Sequence, residues 1–164
     1  MGTKSTKQNK NMYHLSREEA HLTREAAAER LFISPDRIEK IEIRGSIPHP
    51  DEVLAMATAY KKPMLCNYFC SHECEIGQAY VPEVQLKDVS QITLEMLANL
   101  NKMVKIKERL IEITVDGEIN SEEVPDFRNI LQTLDQMSMA IDSMKLWVQH
   151  QVAAGNIDGS EFDI

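Results

Sequence analysis

No apolar run in this 164-residue chain approaches the ~20 residues that a membrane-spanning helix needs. Met1 to Asn11 is polar, carries Lys4, Lys7 and Lys10, and has no apolar core, so it is not a secretory signal. Cysteine is scarce and odd in number, at three, which argues against a disulfide framework in a chain without an export signal. Catalytic signatures are missing too. There is no Gly-rich phosphate cradle, no Gly-x-Ser-x-Gly and no helix with two metal-binding histidines, and the five histidines are scattered. No internal repeat or low-complexity segment is present. These absences lead us to expect a cytoplasmic protein that is not an enzyme and does not enter a membrane.

What is present is ordinary globular composition, 27% charged and 43% hydrophobic. The net charge of -8 is unevenly placed. Residues 1 to 80 hold 11 basic and 11 acidic side chains, whereas residues 81 to 164 hold 7 and 15. The C-terminal half is therefore not a nucleic-acid surface. The N-terminal half qualifies only if its cations gather on one face.

The informative stretch runs from Thr23 to Glu42. Ala27, Ala28 and Leu31 recur at helical spacing, and Ile38 and Ile41 do the same after a break at Phe32-Ile33-Ser34. Ser34 before Pro35 is a helix start: a hydroxyl at the N-cap, then proline where its missing N–H costs nothing. Thr23 caps the preceding segment. Two short helices joined by a tight turn form a helix-turn-helix.

Thr23, Glu25, Ala28, Leu31, Ile33, Ser34, Ile38, Ile41, Glu42 and Gly45 stand in the order seen in one family. The run resembles the helix-turn-helix of the phage-repressor (XRE, Cro/repressor) DNA-binding family, and the likeness covers about residues 13 to 68. It implies a five-helix domain whose third helix enters the major groove of double-stranded DNA. The contact positions it implies are Arg24, Ser34, Asp36, Arg37, Lys40 and Arg44. Pro35 and Glu39 share the same exposed face. In the first helix, Tyr13 to Ala20, Leu15 and Ala20 are expected inward and Arg17, Glu18 and Glu19 solvated. The fourth helix is expected over Asp51 to Lys61, with Val53, Leu54, Met56, Ala57 and Tyr60 as its apolar residues, and a fifth near Met64.

Arg24 stands in place of the family's usual glutamine and can still bind phosphate or guanine. One extra residue, Ile43 or Arg44, separates Glu42 from Gly45. Three further residues depart in ways that bear on function. Asp36 and Glu39 place carboxylates near phosphates, although a carboxylate can accept from cytosine's amino group. Phe32 replaces a glycine at a position that favours positive φ, where a bulky residue is strained. A protein-interaction adaptor built on the same scaffold is therefore the alternative function.

Past Gly77 the helical pattern lapses, and Val81-Pro82-Glu83 reads as an extended linker. Near Asp88 a new pattern begins: Met96, Leu97, Leu100, Met103, Val104, Leu110 and Ile111, then Ile130, Leu134, Met137, Ile141, Met144 and Val148, the last six a heptad seam. Trp147 lies one residue off that seam. The pattern predicts two antiparallel helices of ~25 residues, each ~38 Å long. The expected organisation is all-α: a flexible tail 1–12, a helix-turn-helix domain 13–80, a linker 81–88, a long antiparallel helical hairpin 89–153 and a flexible tail 154–164. A two-helix hairpin has little core of its own, so it must pack on the N-terminal domain of the same chain or on a copy of itself, and a homodimer contact is the expectation. The basic tail could also act as a DNA-binding arm.

Two smaller patterns bear on metals. Cys66, Cys70, His72 and Cys74 are chemically a zinc set, and a metal- or redox-responsive regulator is a further alternative. Their spacing fits neither zinc knuckles nor iron–sulfur runs, and small buried thiols on a helix explain it as well. Asp116-Gly117-Glu118-Ile119 with Glu123 copies the second half of a calcium loop, but Glu112 stands where an aspartate is required. An Asp-Gly turn before a helix started by Ser121 accounts for the same letters.

Overall fold

Each cap and its apolar spacing becomes a helix. A computed structural model of the chain describes residues 10–162, and among these there are eight α-helices and no strand. Most of the expected N-terminal arm lies outside the described residues. The chain divides into two compact units: one holds the residues up to Glu83 and from Gln149 onward, the other Val84–Val148.

In the first unit, α1 is Met12–Glu19, α2 Arg24–Leu31, α3 Pro35–Glu42, α4 Pro50–Ala59, α5 Met64–His72 and α6 Glu75–Tyr80. Thr23 Oγ1 accepts the Ala26 N–H at 3.1 Å, and Ser34 Oγ accepts the Arg37 N–H at 3.1 Å. Each satisfies one donor at a helix start that would otherwise be orphaned. Asn11 Oδ1 caps α1 through the His14 N–H, and its amide donates to Ile41 O at 2.7 Å, tying α1 to α3. Tyr13, Ala27, Ala28, Leu31, Ile38, Ile41, Val53, Met56, Ala57, Tyr60, Leu65 and Phe69 form the core. The alanines let α2 approach its neighbours closely.

Two expectations are corrected here. α1 buries Tyr13, Ser16 and Arg17, whereas Leu15 is exposed. Leu54 is exposed as well, because the inward stripe of α4 runs through Val53, Met56, Ala57 and Tyr60.

The third correction is α6, which carries the helix on through Gly77 to Tyr80 where the helical pattern was expected to lapse. A Cβ on Gly77 would lie 2.1 Å from Cys70 O, so only glycine lets α6 pack this closely on α5. The Gly77 N–H also donates to Cys74 Sγ at 3.4 Å, which makes the thiol the N-cap.

In the second unit, α7 is Val89–Thr114, capped by Asp88, and α8 begins at Val124 and runs to Ala154. Asn120, not Ser121, caps α8: its Oδ1 accepts from the Glu122 and Glu123 N–H groups, and Glu123 Oε2 accepts from the Asn120 N–H at 3.1 Å. This reciprocal pair is a capping box. Asp116 Oδ1 takes the Glu118 N–H across the Gly117 turn, where φ is +77°. The two helices run antiparallel, as Arg109 to Asp126 (2.7 Å) and Lys102 to Gln136 (2.9 Å) show.

The inward heptad of α7 is Ile92, Met96, Asn99, Met103, Ile106, Leu110 and Ile113. That of α8 is Ile130, Thr133, Met137, Ala140, Met144 and Trp147, with Ser143 and Leu146 buried beside its last members. The expected α8 seam is thus half right. Ile130, Met137 and Met144 face in, but Thr133 and Ala140 take the alternate places, and Leu134 and Ile141 are exposed. Asn99 Nδ2 crosses from α7 to Gln136 O at 3.1 Å.

Gly77→Ala should destabilise the first unit by about 2–3 kcal/mol, because the added methyl meets rigid backbone rather than a side chain that can move. Chemical denaturation followed by circular dichroism measures this.

Candidate nucleic-acid interface

Glu42 ends α3 with its carboxylate buried, the side chain 1% exposed. Arg17 meets it with Nε at 2.6 Å and Nη2 at 3.0 Å, and its Nη1 donates to Leu22 O. Arg24 Nε adds a third bond at 2.9 Å. Burial opposes the Arg17 charge, but the hydrogen bonds and charge of Glu42 outweigh it and raise the guanidinium's pKa. Arg17 is therefore a buried clamp and not a solvated residue. Arg24, implied as a DNA contact, holds the start of α2 against the end of α3.

Arg37 is held in the same way. Nε and Nη2 donate to Glu52 at 2.8 and 2.7 Å, Nη1 to Ser46 Oγ at 2.7 Å, and Nη2 to Ile47 O at 3.1 Å. The bond from Arg37 holds the Glu52 carboxyl below its ordinary pKa, burial working against it. The side chain locks α3 to the loop before α4 and to α4 itself.

Lys40 and Arg44 are different. Both are exposed, Lys40 paired with Asp36 at 2.7 Å one turn earlier on α3 and Arg44 with Glu39 at 3.2 Å. The two carboxylates that depart from the family pattern are thus neutralised by neighbouring cations. Ser34 caps the α3 N-terminus beside them. Residues 23–46 carry five basic and five acidic side chains, so the face is polar and charge-balanced rather than basic.

The turn between α2 and α3 holds Phe32 at φ +56° and ψ +33°, in the left-handed region, with its side chain 94% exposed. Nothing in the first unit anchors the ring. The expectation of a positive-φ turn holds, and glycine is simply not the residue that meets it.

The four residues of the zinc set are not gathered. Cys66 and Cys70 are half-buried against the core and Cys74 caps α6. His72 stacks on Tyr68 at 4.7 Å between ring centres, with Nδ1 2.9 Å from Ser71 Oγ. Burial, with Cys70 beside it, pushes the Cys66 thiol pKa up, so the thiolate needed by a metal or an oxidant is disfavoured there. Among the described residues no group of three or more His, Cys, Asp or Glu is placed to hold a metal ion.

Residues 14–63 match a protein-family model described as a helix-turn-helix domain, and this part of the chain, from α1 through α4, is a helix-turn-helix domain. No curated protein and no solved structure matches the chain. Among the described residues no helix is long and apolar enough to cross a membrane.

Sequence reasoning missed the Arg17–Glu42 and Arg37–Glu52 pairs. The signal for the first was an acid adjoining the inward Ile38–Ile41 stripe, which demands a buried cation. Glu42→Ala should cost about 3–5 kcal/mol, since it leaves Arg17 charged and buried with no carboxylate opposite it, only the Leu22 carbonyl. Phe32→Gly should have the opposite sign, raising stability by about 1 kcal/mol through release of the left-handed strain. Thermal and denaturant melts of the two variants check both signs.

Proposed function

We propose that the chain is a sequence-specific DNA-binding transcriptional regulator, acting in the cytoplasm, with no catalytic step. In this reading α3 enters the major groove and Lys40 and Arg44 turn from their carboxylates to phosphates. Asp36 and Glu39 are then released toward base edges, where an acid selects cytosine's amino group. The observation that carries the reading is the orientation of α3. Its capped N-terminus is exposed at Ser34, Pro35 and Asp36, its inward face is fixed by Glu42 and Arg37, and its exposed cations sit on the remaining face. A dimeric arrangement reads a two-fold site with half-sites about one helical turn apart.

Selection from a random duplex library, then titration across salt, tests this. We expect an enriched sequence whose affinity falls linearly with log salt. The double variant Lys40→Glu/Arg44→Glu should lower the salt slope by ~1 for each phosphate no longer neutralised. No enrichment, or a slope unmoved in that variant, would sink the reading.

One observation favours a second reading, a protein-binding adaptor: Phe32 is a fully solvated aromatic on a charge-balanced face. Stoichiometric recovery of a protein partner that Phe32→Gly abolishes, with no duplex enriched, would select it.

A further inference from the structure

The inward heptads of the hairpin leave a second pair of apolar stripes outside. Leu97, Leu100, Val104 and Ile111 each stand one place after an inward residue of α7, and Leu134 and Ile141 one place after inward residues of α8. All are exposed, from 38% at Leu134 to 72% at Val104. One step along a helix turns by ~100°. Viewed from one end, that step turns two antiparallel helices in opposite senses, so both outer stripes swing to the same side of the hairpin. Residues one place before the inward heptads go to the other side, and there Lys102 Nζ meets Gln136 Oε1. The hairpin thus has one side closed in part by its own bonds and another on which these six aliphatic side chains, interrupted by Lys107, Ser138 and Lys145, are left open.

Size indicates what covers it. At the stated exposures the open face holds on the order of 600 Å² of aliphatic surface, close to the ~800 Å² per partner of a stable interface and far above scattered surface leucines. α7 and α8 together carry six basic and six acidic side chains, so they have no net charge. The acidic excess of this half lies elsewhere, in large part in the connecting loop at Asp116, Glu118, Glu122 and Glu123. The open face itself carries Lys107 and Lys145, one place after Ile106 and Met144, the second paired with Asp142 at 3.6 Å, so the aliphatic area rather than charge is what argues for a second copy.

We propose that this face docks on the same face of a second copy of the chain, forming a two-fold four-helix bundle. The dimer contact is therefore not the heptad seam read from α8 alone, half of which is used inside the chain. It is the stripe one place further on. The proposal deepens the regulatory reading by fixing what joins the two reading heads, and its test needs no DNA, so either can fail without the other.

Sedimentation velocity on the full chain reads the outcome. We expect a species of twice the 18.7 kDa chain mass at micromolar concentration. Val104→Arg should return the chain to a monomer with an unchanged circular-dichroism spectrum, because that side chain is exposed within one copy. Ala98→Arg, on the opposite face of α7, should leave the dimer intact. Should the arginine disturb the helix, Val104→Gln carries the same expectation as an association about tenfold weaker. A wild-type monomer throughout, or a dimer that survives a Val104→Arg/Leu134→Arg double change, would overturn the proposal.

Discussion

One buried carboxylate holds the helix-turn-helix together. A lone ionised group in an apolar interior is strongly unfavourable, so Glu42 is tolerable only because Arg17 reaches it with two donors and Arg24 with a third. The three partners come from α1, α2 and α3. Each bond therefore fixes the position of one helix against another, and all three converge on the end of the helix that faces solvent with its remaining side. Packing around Ile38 and Ile41 supplies the attraction; the ion cluster supplies the orientation, because charge-assisted bonds tolerate far less displacement than apolar contacts.

The same division of labour continues outward. Arg37, with four bonds to Glu52, Ser46 and Ile47, sets α3 against α4 and the loop between them. The cations of this region thus separate into a buried set that positions α3 and an exposed set, Lys40 and Arg44, whose partners lie on the same surface. Exposed pairs are worth little and open readily. A phosphate could recruit either cation, but each recruitment strands a carboxylate near the duplex. In the DNA-binding reading proposed above, such a surface would hold a duplex weakly without the right bases and gain most where a base satisfies the stranded acid. Charge balance therefore favours selectivity over general adhesion.

Much of this was legible in the letters. Thr23, Ser34 and Pro35 announce their helices through backbone chemistry that needs no tertiary context, and Ala27, Ala28, Leu31, Ile38 and Ile41 announce the core by period. The illegible parts share a cause, namely that each depends on what a distant residue does. Arg17 reads as solvated until Glu42 is seen to be buried. Leu15 and Leu54 read as core until neighbouring positions claim it. Gly77 reads as a helix breaker until α5 is seen to need a neighbour without a Cβ. In α7 and α8 the apolar set is wide enough for two stripes, and periodicity alone cannot say which faces the sister helix. Asn99, Thr133 and Ala140, the least hydrophobic candidates, mark the inner one, since all three are buried.

The scarcity of glycine has a visible structural consequence. Three helices of the first unit lead into a residue at φ +56°, and none of the three is glycine: His21 after α1, Phe32 after α2 and Lys61 after α4. At each, the next residue back-bonds across the turn in the same way: Leu22 to Arg17, Ile33 to Ala28 and Lys62 to Ala57. Glycine would adopt this conformation with no Cβ penalty. A polar residue such as His21 or Lys61 can at least keep its head in water. Phe32 can do neither, since its backbone is strained and its ring is 94% exposed, so it recovers no burial for the conformational cost. Within one copy of the fold, that residue is unfavourable on both counts.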